Sequence, residues 1–126
     1  MAVVLSYNLS SEQRVKLHLI CTRLKLHERQ VTPKQYGQPI GSLCGMLTSK
    51  EAVTQESFTD EMLVFCDFDN ELLDRFLAEM RSSHMPPIRL KAVLTPTNMH
   101  WTSIQLCEEL RREHDHMAAQ RRSNRR

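Results

Sequence analysis

The chain has 126 residues, 40% of them hydrophobic and 25% charged, with a formal net charge of +2. That length suits a single domain with a core of its own. No apolar run approaches the roughly 20 residues that cross a bilayer, so no membrane-spanning helix is expected. No basic segment precedes an apolar stretch at the N-terminus, which makes cytoplasmic residence the default expectation. The four cysteines, Cys21, Cys44, Cys66 and Cys107, lie far apart without a Cys-x-x-Cys pair. Each falls in or beside an apolar pattern, so they read as buried free thiols rather than two disulfides. The last six residues hold four of the 17 basic side chains, leaving thirteen basic against 15 acidic in the body. Residues 121–126 therefore read as a basic, disordered, solvated tail. Non-specific phosphate attraction through it is the minor reading, and nucleic acid is not the expected partner.

In chain order, Val3-Val4-Leu5-Ser6-Tyr7 predicts a strand. Ser10 followed by Gln13 forms the Ser-x-x-Gln capping box of a helix, whose inner face carries Leu17, Ile20, Cys21 and Leu24 at helical spacing. That pattern ends near Glu28, and a short strand is expected around Gln30-Val31-Thr32, stopped by Pro33. Gly37, Gly41 and Gly45 follow at intervals of four. Pro39 suits the first turn of a short helix and Gly45 its left-handed end. Gly41 lies inside that helix, where glycine costs about 1 kcal/mol relative to alanine; close packing is expected to offset this. Residues 48–61 are polar and aperiodic and read as a linker.

The second half repeats the order. Met62 to Cys66 is a continuous apolar run, as in a buried strand. Asp69 caps a helix with Leu73, Phe76, Leu77 and Met80 on its inner face. Pro86-Pro87 ends the helix region, and a strand runs from Arg89 to Leu94 before Thr95-Pro96. Thr102 and Gln105 make a second capping box, with Trp101 and Leu106 placed as its hydrophobic staple. The fold class is therefore α/β: two tandem βαβα units, residues 1–47 and 62–120, joined by the linker. They are expected to form a four-stranded, at least partly parallel sheet with helices packed on it and a possible pseudo-twofold.

Leu90-Lys91-Ala92-Val93-Leu94-Thr95-Pro96-Thr97-Asn98, then Trp101-Thr102 and the helix ending Glu108-Glu109-Leu110-Arg111-Arg112-Glu113-His114, resembles domain-of-unknown-function family 3783. Phe65-Cys66-Asp67-Phe68 and Tyr36-Gly37-Gln38-Pro39-Ile40-Gly41 are similar to its members as well. The resemblance is densest from residue 62 to 114. It implies a small cytoplasmic bacterial protein and brings no activity, cofactor or catalytic residue with it.

In an open α/β sheet, ligands bind at the carboxyl ends of strands. Thr95, Thr97, Asn98 and Trp101 sit at such an end beside a helix N-terminus, which suits an anion. Tyr36 and Gln38 follow the matching Thr-Pro turn. These six are the candidate ligand residues. The same residues also serve simply to stop a strand and start a helix. His114-Asp115-His116 does not read as a metal site, because helical residues two apart diverge by about 200°. No metal, cofactor or catalytic residue is assigned. A non-catalytic interaction or regulatory module is the leading expectation, with an unknown protein partner and self-association open. A metabolite- or anion-binding protein, or an enzyme using the Thr-Pro turns, is the alternative.

Overall fold

The structure is a computed structural model that describes residues 2–48 and 52–124. Four strands form one sheet in the order β2-β1-β3-β4: β1 (Val3–Tyr7), β2 (His27–Gln30), β3 (Met62–Cys66) and β4 (Leu90–Val93). The β1–β2 and β3–β4 pairs are parallel, and β1 meets β3 antiparallel at the centre. Helix α1 (Ser11–Leu24) links β1 to β2, and α3 (Asn70–Ser82) links β3 to β4. The short α2 (Ile40–Leu43) and the long α4 (Ser103–Asn124) follow the two 3₁₀ turns at Pro33–Gln35 and Asn98–His100. The expected order of two βαβα units on a partly parallel sheet is thus the observed one.

Strand alternation assigns the layers. Val4, Leu63 and Phe65 face a core with Leu17, Ile20 and Cys21 of α1 and Phe76 of α3. Leu5, Tyr7, Met62, Val64 and Cys66 face the opposite core, with Ile40 and Leu43 of α2 and Leu106, Cys107 and Leu110 of α4. The sheet is therefore sandwiched between two helix layers, one from the crossovers and one from the segments after the Thr-Pro turns.

The helix starts follow the sequence. Gln13 N donates to Ser10 Oγ at 3.2 Å while Ser10 N donates to Gln13 Oε1 at 2.8 Å. Leu72 N donates to Asp69 Oδ1 at 2.7 Å. Gln105 N donates to Thr102 Oγ1 at 3.2 Å, and Thr102 N to Gln105 Oε1 at 2.9 Å. Gly41 packs as tightly as its position suggests: an added Cβ would lie 2.8 Å from Leu47 and 3.0 Å from Met99 O. Gly45 supplies the left-handed residue, with φ +82°.

The halves correspond at a constant spacing. Asn8 matches Asp67, both left-handed, and Lys25 matches His84, also both left-handed. The caps Ser10 and Asp69 stand at the same spacing. The central ladder pairs Val3 with Cys66, Leu5 with Val64 and Tyr7 with Met62. Exchanging the two strands leaves that ladder unchanged, as a twofold through Leu5 and Val64 requires. On the α2/α4 side, an isolated antiparallel bridge joins Pro39 to Thr102, the residues that open α2 and α4.

Four details differ from expectation. The second strand is His27–Gln30, upstream of Gln30-Val31-Thr32. Helix α1 stops at Leu24 because Lys25 takes a left-handed conformation (φ 58°), and the strand begins as soon as the chain has reversed. Residues 49–51 of the expected linker lie outside the described residues, but Phe58 farther along is buried against Tyr7 and Tyr36. The tail expected to be disordered from 121 continues α4 as helix to Asn124, and 125–126 lie outside the described residues. Met117, Ala118, Ala119 and Gln120 favour helix, so α4 propagates beyond the body. Cys44 is half-exposed rather than buried.

Candidate functional site

The Thr95–Asn98 turn is closed on itself. Thr95 N donates to Asn98 Oδ1 at 2.8 Å, Asn98 N donates to Thr95 Oγ1 at 3.0 Å, and Asn98 Nδ2 donates to Val93 O at 3.0 Å. Asn98 is buried, and its side chain is committed to holding the end of β4 against the following 3₁₀ turn. Thr97 is exposed on the outside of this turn.

Tyr36 is a core residue. Its ring stacks on Phe58 at 4.5 Å and its hydroxyl donates to Asn8 Oδ1 at 3.3 Å. Burial raises its phenol pKa. Gln38 is half-buried, with its backbone N donating to Gln35 O at 3.1 Å. Trp101 packs at the edge of the core beside α4, and its carbonyl accepts from Ile40 N at 2.8 Å. The structure thus joins Thr95 to Asn98 in one turn and brings the Gln38–Ile40 and Trp101–Thr102 backbones together. Tyr36 and Thr102 share a groove of about 510 Å³ that Gly37, Thr54, Glu56 and Glu108 also line. Trp101 lines a neighbouring groove of about 270 Å³ with Glu108, Glu109 and Arg112. Carboxylates at both grooves oppose an anion, and the α4 amide nearest them is already satisfied by Thr102. Arg112 pairs with Glu109 at 3.0 Å, so the Glu108–Arg112 pairing that helical spacing suggests is replaced by its neighbour.

The segment before β3 is tied to α4 by a forked ion pair. Arg111 Nε donates to Asp60 Oδ2 at 3.2 Å and its terminal nitrogen donates to Asp60 Oδ1. That pairing holds the Asp60 carboxyl below its usual range and raises the Arg111 guanidinium. A folded-state carboxyl pKa that is depressed contributes stability above the unfolded value and loses it as pH falls through the folded one. Acid titration of Asp60→Asn should therefore show a shallower loss of stability below about pH 4 than the parent chain, read by urea denaturation at each pH. Parallel curves would show that the pair adds nothing.

Helix α1 presents the other surface of interest. Its inner face packs on the sheet, yet Val15 and Leu19, one turn apart, are 61% and 60% exposed. Leu19 borders two shallow grooves. One, of about 290 Å³, runs toward α3 with Lys16, Arg23, Glu79 and Ser83; the other, of about 430 Å³, runs toward β2 with Arg14, Val15, His18 and Gln30. Arg23 is tied to Glu79 at 2.8 Å and Lys16 to Glu12 at 3.3 Å. The segment Ser11–Leu24 contains Arg14, Lys16 and Arg23 against a single acidic residue, Glu12. The sequence carried a signal for this face: Val15 and Leu19 are apolar at i and i+4, but outside the stripe of 17, 20, 21 and 24.

Among the described residues, every buried side-chain polar atom has a hydrogen-bond partner. No group of His, Cys, Asp and Glu among them could hold a metal ion. No helix among them is long and apolar enough to cross a membrane.

The molecule is an α/β protein built on an open four-stranded sheet. Residues 61–117 match the family described as Domain of unknown function (DUF3783). The matched span runs from the start of β3 through α3 and β4 into α4, so it contains the Thr95–Trp101 turn and excludes α1. No curated protein and no solved structure matches the chain.

Proposed function

We propose that this protein is a non-catalytic interaction module of the cytoplasm, with the outer face of α1 as its docking surface. The observation that carries the reading is the exposure of Val15 and Leu19 side by side on a helix that is otherwise well packed. Covering the part of Leu19 and Val15 that is still exposed contributes about 1–2 kcal/mol each, enough to anchor a modest interface. The charge of α1 selects the partner. Two copies meeting α1 to α1 would bring like charges together, whereas an amphipathic helix with an acidic flank would meet Arg14 with opposite charge. Two apolar side chains are too few to hold the chain on a lipid surface. The free thiols support the cytoplasmic reading, and the family resemblance supports a bacterial origin. The matched spacings of caps and left-handed residues support the halves being two copies of one unit.

The test pairs Leu19→Asp with Thr97→Asp in the full chain. Both residues are exposed, so both variants should melt close to the parent. Leu19→Asp should weaken partner binding about tenfold, because about 1–2 kcal/mol of apolar burial is lost and a carboxylate is set in the interface. Thr97→Asp should leave binding intact. The opposite pattern would move the function to the Thr-Pro turn.

A further inference from the structure

Cys44 closes α2, in a turn completed by the left-handed Gly45. The residue is partly exposed, and its thiol donates to Gly41 O at 3.5 Å. Beneath it lies Cys66, the last residue of β3, buried in the core cluster against which Cys44 packs, with the two thiols in mutual contact. Arg29 of β2 donates to Leu43 O at 2.7 Å, which brings a fixed positive charge to the same corner. Met46 and Asp67, close in sequence to the two cysteines, both line a cleft of about 240 Å³ at the ends of β3 and β4. Cys44 is itself partly exposed, so a small solute can approach it. Cys21 and Cys107 are buried in separate parts of the molecule, one under α1 and one under α4.

We propose that Cys44 and Cys66 form a redox-active thiol pair, in which a small hydroperoxide oxidises Cys44 and Cys66 resolves it to a disulfide. In the first step the Cys44 thiolate attacks the distal peroxide oxygen. An S–O bond forms, the O–O bond breaks, and the leaving oxygen takes a proton and departs as alcohol or water. In the second step the Cys66 sulfur attacks the Cys44 sulfur of the sulfenic acid. The S–S bond forms, the S–O bond breaks, and the hydroxyl leaves as water with the proton from Cys66. Two thiols lose two electrons and the hydroperoxide gains them.

The ionisation of the four thiols fits this division. The hydrogen bond from Cys66, with a smaller contribution from Arg29, lowers Cys44 to about 7. The same contact, together with burial, raises Cys66. Burial pushes Cys21 up to about 12 and Cys107 up to about 11. Only Cys44 combines access with a thiolate near neutrality.

The experiment treats the reduced full chain at neutral pH with one equivalent of hydrogen peroxide, then measures intact mass and maps peptides. The expected product has lost two hydrogens and carries a Cys44–Cys66 crosslink, with Cys21 and Cys107 still alkylatable only after unfolding. In Cys66→Ser the crosslink should vanish, and dimedone should trap a sulfenic acid at Cys44 at least roughly tenfold faster than at Cys21 or Cys107. Cys66→Thr, which also keeps a hydroxyl donor beside Cys44, serves if the serine variant does not fold. A crosslink through Cys21 or Cys107, an unreacted Cys44, or dimedone label spread evenly over the cysteines would overturn the proposal.

Discussion

Phe58→Ala is expected to cost about 3–4 kcal/mol of folding stability. Phe58 lies in a stretch with neither helix nor strand, yet its ring is buried between Tyr36, stacked at 4.5 Å, and Tyr7, tilted at 5.7 Å. Removing the ring leaves a cavity beneath α4, bounded by two tyrosines whose hydroxyls are already anchored. Tyr36 donates to Asn8, and Tyr7 shares a 2.7 Å hydrogen bond with Ser103. Neither ring is free to collapse into the space, so repacking does not relieve the cavity. Asn8 Nδ2 also donates to Phe58 O and Asp60 O, both at 3.0 Å, and these bonds persist in the variant. The loss should therefore come from the ring alone. Urea denaturation should show a lower midpoint at unchanged slope, and Phe58→Leu should recover more than half. A cost of about 0.5 kcal/mol or less, typical of a surface position, would mean that residues 52–61 merely connect the halves.

Asn98→Ala should cost about 2 kcal/mol, from two side-chain hydrogen bonds worth about 1 kcal/mol each. The substitution orphans Thr95 N and Val93 O at the end of β4, while the bond from the residue 98 amide to Thr95 Oγ1 survives. Asn98→Asp keeps the acceptor for Thr95 N and loses the donor to Val93 O, so it separates the two contributions. Thermal or urea melts of both variants give the answer. Full stability in the alanine variant would release Asn98 from its structural duty and return it to a ligand-binding role.

Much of the architecture was legible because local signals agreed with the global fold. The Ser10, Asp69 and Thr102 caps were readable from side-chain type and spacing, and the continuous apolar run at Met62–Cys66 marked a central strand. Thr32-Pro33 and Thr95-Pro96 pointed to matching turns. The second strand was misplaced because its boundary depends on Lys25, a non-glycine residue in the left-handed region, which side-chain type does not announce. His27-Glu28-Arg29-Gln30 is an exposed edge strand and carries no apolar alternation. Phe58 was hidden for a different reason: a single aromatic in a polar stretch has no periodicity, and its burial depends on Tyr7 and Tyr36 arriving from elsewhere in the chain. Composition alone placed Cys44 and Cys66 apart, and only the antiparallel β1–β3 junction with α2 above it brings them together. Thr95 and Asn98 do follow the end of β4, but pattern could not show that they satisfy one another. Val15 and Leu19 were visible as apolar residues off the main stripe; what was missing was the knowledge that no neighbouring element covers them.

Photo-crosslinking most directly tests where this protein engages its partner. A photoreactive amino acid is placed at position 19 or, separately, at position 97 in the full chain, expressed in its own host, irradiated, and the crosslinked peptides are sequenced. Position 19 should capture one recurrent protein segment with apolar residues at helical spacing and Asp or Glu beside them, and position 97 should capture none. Capture of that segment from position 97 instead, or only lipid or a second copy of this chain at position 19, would contradict the assignment of α1 as the docking face.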